Sequence, residues 1–212
     1  MRRRDAIAHC SAWALASLVP GLAAAAAPAR RVVVLGDSLS AEYGLARGSG
    51  WVALLAQRLA KEQHGISVVN ASISGDTTSG GRSRLPALLK APPPSHLIIE
   101  LGGNDALRGL PLEMTHANLL AMVRAGKAAG ARVLLVGMQL PPNYGAAYGR
   151  DFAALFADVA RVERVGLVPF LLKGVADRSD AEAWFQADRI HPLARAHPVM
   201  LENVWQALKP LL

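Results

Sequence analysis

Two short segments, far apart in the chain, carry the residue types that acyl-group chemistry requires. Gly36-Asp37-Ser38-Leu39-Ser40 follows a β-branched apolar run. A serine placed there, with glycine before it, can sit in a tight turn with its hydroxyl and backbone N–H facing one cavity. The spacing is not that of a Gly-x-Ser-x-Gly elbow, and a serine in this position also serves as a helix N-cap. The second segment is Asp188-Arg189-Ile190-His191-Pro192. An acid three residues before a histidine on a loop can accept from the imidazole Nδ1–H while Nε2 faces outward as a base. The same pair also occurs as a helix cap or half of a metal site. Ser38, His191 and Asp188 are therefore the candidates for nucleophile, base and orienting acid.

Two further segments offer hydrogen-bond donors. In Asn70-Ala71-Ser72-Ile73-Ser74-Gly75-Asp76-Thr77, Gly75 can bring a bare backbone N–H against a ligand, although the hydroxyls there also suit a helix cap. In Glu100-Leu101-Gly102-Gly103-Asn104-Asp105, two glycines free the backbone to aim the Asn104 amide into a cavity, where it would meet an anion that develops during reaction. Asn104 also reads as an ordinary turn residue. The other histidines have plainer roles: His64 follows a helix, His96 opens a strand, His116 lies in a helix, and His197 is expected at the surface or at a cap.

All four segments fall at the ends of predicted strands. The strands are Val32–Leu35, Ser67–Asn70, Leu97–Leu101, Val133–Gly137 and Leu167–Phe170, each a nearly continuous apolar run of the kind buried on both faces of a parallel sheet. Between and after them lie helical segments at 51–63, 80–89, 112–129, 146–164 and 194–208. This alternation predicts one α/β domain, a three-layer α/β/α sandwich with a parallel five-stranded sheet and right-handed crossovers. Reactive groups in such a sheet collect at the carboxyl ends of the strands. The loop after the fourth strand, Met138 to Gly145, is expected to line the substrate pocket, with Leu140, Pro141, Asn143 and Tyr144 as its contacts.

Composition narrows the setting. The 212 residues are 52% hydrophobic and 18% charged, enough for a sizeable core. Met1-Arg2-Arg3-Arg4, an apolar stretch from Ile7 to Leu22 and the alanine run Ala23 to Ala27 read as a signal peptide, residues 1–27, leaving 28–212 as the domain and placing it in the periplasm or outside the cell. An uncleaved anchor is the competing reading, and Pro20 and Gly21 break the apolar stretch where a spanning helix should be continuous. Removing the leader takes out three arginines and one aspartate, which lowers the formal charge from +7 to +5. The arginines form no stripe, so no nucleic-acid partner is expected. The single cysteine, Cys10, lies in the leader, so the domain can form no disulfide, thiol nucleophile or zinc-thiolate site.

The blocks GDSLS, NASISGDT, ELGGND and DRIHP, in this order, resemble those of the GDSL or SGNH hydrolases, named for the Ser, Gly, Asn and His that here stand at Ser38, Gly75, Asn104 and His191. The resemblance extends over the whole of the chain after Arg31. It is greatest for a bacterial periplasmic branch acting as thioesterase, arylesterase, lysophospholipase and weak peptidase. It implies a flavodoxin-like sheet, a Ser38-His191-Asp188 triad, and an oxyanion hole made by the Ser38 N–H, the Gly75 N–H and the Asn104 side chain. No cofactor or metal is implied. The expected partner is a small or lipid-like acyl ester, met by a monomer with at most transient contact with a membrane surface. Asp37 is implied to hold the nucleophile turn. The chain departs from the branch at Glu42 and Arg189, where glycine is common, and both are expected to put charge near the cleft. A carbohydrate acetylesterase would use the same residues. An inactive envelope-binding protein would not need Ser38 or His191, and a metal phosphoesterase would draw on Asp37, Asn104 and His191.

Overall fold

The computed structural model describes residues 30–62, 65–90 and 92–212. The predicted leader at 1–27 with Cys10 lies outside the described residues, as do His64 and Ala91. In chain order the elements are β1 (Arg30–Gly36), α1 (Trp51–Glu62), β2 (Ile66–Asn70), α2 (Thr78–Lys90), β3 (His96–Glu100), α3 (Gly103–Leu107), α4 (Leu112–Ala128), β4 (Arg132–Val136), α5 (Ala146–Glu163), β5 (Gly166–Val168) and α6 (His197–Leu208).

The five strands form one parallel sheet in the order β2-β1-β3-β4-β5, the flavodoxin-like arrangement. Helices α1 and α6 pack together on one face, and α2, α4 and α5 on the other. Val32, Val33, Val34 and Leu35 of β1 and Leu97, Ile98 and Ile99 of β3 are buried, as a strand covered on both sides must be. The expectation of two-sided burial fails at β2: it is an edge strand, and Ser67, Val69 and Asn70 are exposed. The register pairs Gly36 with Glu100 at the carboxyl ends of β1 and β3. That pairing sets the last residue before the nucleophile turn beside a buried acid.

Sequence periodicity missed α3, because a five-residue helix begun by two glycines has no periodic signal to read. It also misplaced His197, which is buried rather than exposed: its Nδ1 accepts the Trp51 N–H at 3.0 Å. The expected capping is real, but the helix capped is α1, far away in sequence and on the same face. No described helix is long and apolar enough to cross a membrane.

Helix α4 approaches the sheet through Gly126, where an added Cβ would meet Leu97 Cδ2 at 2.8 Å and Val133 Cγ2 at 3.0 Å. Gly126→Ala should gain about 1 kcal/mol of helix propensity and lose about 1–3 kcal/mol to overpacking. The overpacking should prevail, so the denaturant midpoint should fall by an amount equivalent to about 1 kcal/mol; a raised midpoint would show that the layer spacing yields.

Candidate active site

The Ser38 turn begins where β1 ends. Gly36 is needed there, since a Cβ would come within 2.9 Å of the Ser40 side chain and of Glu100 Oε2. The Asp37 carbonyl accepts the N–H groups of Ser40 at 3.2 Å and Ala41 at 2.9 Å, and its Oδ1 accepts the Leu39 N–H at 3.0 Å. Ser38 is left half-buried with its hydroxyl toward the cleft. Beneath the turn, Ser40 Oγ donates to Glu100 Oε2 at 2.6 Å and the Asp37 N–H lies 3.4 Å from the same oxygen. Burial pushes the Asp37 carboxyl up to about 6, against the lowering effect of the Leu39 N–H and the Asn104 amide. Burial, and then the neighbouring Asp37 charge, push Glu100 well above the usual carboxylate range. Two carboxyls this close in a dry site cannot both ionise at little cost, so Glu100 is the one that keeps its proton.

Asp188 and His191 lie on a closed loop. The Leu193 N–H donates to the Trp184 carbonyl at 2.8 Å and the Gln186 N–H to the His191 carbonyl at 2.8 Å, with a further turn bond from the Arg189 N–H to the Gln186 carbonyl at 2.9 Å. Within it Asp188 Oδ1 accepts the N–H groups of Ile190 (2.9 Å) and His191 (3.0 Å), and Oδ2 lies 2.6 Å from His191 Nδ1. Burial would raise the Asp188 carboxyl, but these bonds prevail and hold it at about 2. An ionised Asp188 fixes the proton on Nδ1 and leaves Nε2 to accept from Ser38 Oγ, 2.8 Å away. The Tyr43 ring lies against the imidazole, 4.3 Å between centroids.

The departures at Glu42 and Arg189 have a shared backbone cause. Both residues take positive φ, 61° and 57°, where glycine is unstrained. Glu42 offsets the strain by accepting from the N–H groups of Gly48 and Gly50 at 3.0 and 2.7 Å. Its charge is therefore turned onto its own loop, and it does not line the cleft as expected. Arg189 does.

Gly75 is the third residue of a turn closed by the Asp76 N–H on the Ile73 carbonyl at 3.1 Å, and its φ of 78° suits glycine. Arg108 donates to the Gly75 carbonyl at 2.8 Å. Arg84 pairs with Asp76 at 2.7 Å and also donates to the carbonyls of Ala71 and Gly36, so one guanidinium ties the ends of β1 and β2 to the Gly75 turn. Asn104, in α3, donates through Nδ2 to Asp37 Oδ2 at 3.0 Å. The Asp37 oxygen facing that amide accepts, which orients NH₂ and not C=O at this point. Asp105 beneath it is buried and accepts the Thr78 N–H at 2.8 Å and the Thr78 hydroxyl at 2.5 Å, locking α3 to the start of α2.

A cleft of about 790 Å³ opens beside Ser38 and His191. Leu140 and Pro141 line it, as do Asn104 and Arg189. Asn143 and Tyr144 do not. The chain at Pro142–Tyr144 closes into a single 3₁₀ turn, the Tyr144 N–H donating to the Pro141 carbonyl at 3.1 Å, and the wall ends at Pro142. Gly75 stands outside the lining as well. Leu107, Phe170, Leu172 and Phe185 complete an apolar wall that sequence reasoning missed, because Phe170 read as the end of a strand and Leu107, Leu172 and Phe185 carry no local pattern.

A family model described as the GDSL-like lipase/acylhydrolase family matches residues 34–199. The chain belongs to that family. Within it, the esterase TesA of Pseudomonas aeruginosa is 52% identical over 186 residues, covering 88% of this chain and 91% of that one. The thioesterase 1/protease 1/lysophospholipase L1 of Escherichia coli strain K12 is 42% identical over 186 residues, covering 88% and 86%. A crystal structure of TesA matches with a TM-score of 0.82 at 51% identity, covering 86% of this chain and all of that one. This GDSL-family chain is accordingly a hydrolase, and its relatives are named for esters and thioesters.

The buried acid gives a test with a definite sign. An acid whose native pKa is raised withdraws stability as pH climbs past its unfolded value, near 4.5 for Glu100. Glu100→Gln keeps an acceptor for Ser40 and replaces the carboxyl proton with an amide donor. Its thermal midpoint should lie closest to that of the parent at pH 4–5 and rise progressively above it toward pH 9. A constant offset across that range would mean that Glu100 is not held protonated.

Proposed function

We propose that the chain is an exported serine esterase hydrolysing carboxylic esters and thioesters, aryl and alkyl esters, acyl-CoA and lysophospholipids among them, through an acyl-enzyme on Ser38. The observation that carries this reading is the unbroken relay of Asp188 Oδ2, His191 Nδ1, His191 Nε2 and Ser38 Oγ, at 2.6 and 2.8 Å, at the mouth of an apolar cleft. His191 Nε2 takes the Ser38 proton as Oγ attacks the acyl carbonyl, and Asp188 stabilises the imidazolium that forms. The carbonyl oxygen, now negative, is received by the N–H groups of Ser38 and Gly75 and by Asn104 Nδ2. The imidazolium then protonates the leaving alcohol or thiol. Water, deprotonated by the same Nε2, attacks the acyl-enzyme and returns Ser38 with release of the acid.

Leu140, Pro141, Leu107, Phe170 and Phe185 are the proposed acyl contacts. A cleft of this size and apolarity suits chains longer than acetyl, which sets this reading above a carbohydrate acetylesterase. The metal phosphoesterase reading has little support, because Asp37 already spends both oxygens on Leu39 and Asn104, and among the described residues no group of three or more His, Cys, Asp or Glu could hold a metal ion. Export, and with it a periplasmic or external site of action, rests on the leader-like residues 1–27. A monomer, touching membranes at most transiently, is the assembly proposed.

Hydrolysis of p-nitrophenyl esters from acetyl to palmitoyl should be fastest for medium or long chains. Ser38→Ala should lower kcat about 10⁴–10⁶-fold, and Asn104→Ala about 10²–10³-fold with little change in KM. Undiminished turnover by folded Ser38→Ala would end this reading.

A further inference from the structure

The bond between Ser38 and His191 cannot be what holds their loops together. Once Ser38 is acylated its hydroxyl proton has gone, and Nε2 must still stand over the ester to activate water. Something outside the relay has to keep the base loop in register with the nucleophile loop during that half of the cycle. Gln186 is placed to do so. Its Nε2 donates to the Tyr43 carbonyl at 2.9 Å, on the loop that follows Ser38, and to the Pro192 carbonyl at 3.3 Å, next to His191. Its backbone N–H donates to the His191 carbonyl at 2.8 Å. Two carbonyl acceptors on Nε2 fix the orientation of the amide. On the other side Gly44 closes against it, since a Cβ there would overlap Gln186 Oε1. Tyr43, whose carbonyl takes the amide bond, also lays its ring on the imidazole and turns its N–H toward the Ser38 carbonyl at 3.4 Å.

We propose that Gln186 is a positioning residue that fixes the His191 loop to the Ser38 loop through the Tyr43 carbonyl, and that it matters most for deacylation. The inference rests on the reading of Ser38 and His191 as nucleophile and base. In acylation the Ser38 hydroxyl itself helps to hold Nε2 in place; in the acyl-enzyme that tie is gone, and while Asp188 still holds Nδ1, the Gln186 bridge and the Tyr43 ring are left to tie the base loop to the loop after Ser38. Loss of the bridge therefore slows the second step more than the first, and acyl-enzyme accumulates.

The test uses Gln186→Met, which keeps the side-chain length and the backbone N–H but removes both amide donors. Gly44→Ala displaces the amide from the opposite side. Each is assayed by stopped flow with a p-nitrophenyl ester, with intact mass recorded in the steady state and the folded fraction followed by near-UV circular dichroism. Expected are a kcat lowered about 10–100-fold, as small misplacements of a base produce, a KM unchanged or lower, and a burst of nitrophenol matched by an acylated mass. A merely structural role would lower the folded fraction and leave kcat per folded molecule intact, with no burst; that result, or a raised KM at unchanged kcat, overturns the proposal. Ser38→Ala is run in parallel. If it remains active the nucleophile assignment fails, whereas an inert Ser38→Ala beside fully active Gln186→Met and Gly44→Ala rejects only the bridge.

Discussion

A hydroxyl and an imidazole 153 residues apart in the chain are held 2.8 Å apart here, and most of the polar structure at the carboxyl end of the sheet serves that contact. The parallel register supplies the coarse placement. β1 ends at Gly36 beside Glu100 of β3, so the turn bearing Ser38 rises from the middle of the sheet and not from its edge. Fine placement comes from buried hydrogen bonds. Asp37 holds the turn from inside, Glu100 holds it from below through Ser40, and Arg84 joins it to the Gly75 turn.

Burying two carboxyls beneath the Ser38 turn carries a cost, and the hydrogen-bond pattern shows what offsets it. Asp37 has neutral donors on both oxygens and Glu100 keeps its proton, so the site holds one buried charge instead of two. That charge faces Asn104 and fixes which side of the amide is presented. Asp188 is in the opposite situation: it is largely exposed, with two backbone N–H groups and the imidazole on it, and it stays ionised. Three carboxyls within one site thus divide into a neutral support, an orienting anion and a partner for the base, and their surroundings alone make the difference.

Much of this was legible in the sequence. The five apolar runs gave strands within about two residues of those observed, because short β-branched apolar runs bounded by turn residues read as strands even where, as at edge strand β2, one face is open. Ser38 and Asn104 were picked out by residue type at strand ends, and Asp188 and His191 on the last loop; Ser38, Asn104 and His191 line one cleft, with Asp188 bonded to the imidazole Nδ1. What stayed hidden depends on long-range geometry. Glu100 read as one residue of the third strand, and nothing local marks it as buried beneath Ser40. His197 caps a helix nearly 150 positions away. Gln186 stands two positions before Asp188 and carries no motif of its own; its significance appears only where its amide meets Tyr43. Asn143 and Tyr144 were misjudged for the converse reason, since a proline-started 3₁₀ turn closed the loop on itself.

The central claim is that Ser38 is the one hydroxyl activated for attack. Incubation with an alkyl fluorophosphonate, followed by intact-mass measurement and peptide mapping, tests it directly. The account predicts a single adduct, on the peptide containing Ser38, formed at a rate that collapses in His191→Ala. An adduct on any other residue, or labelling of Ser38 at an equal rate without His191, would contradict it.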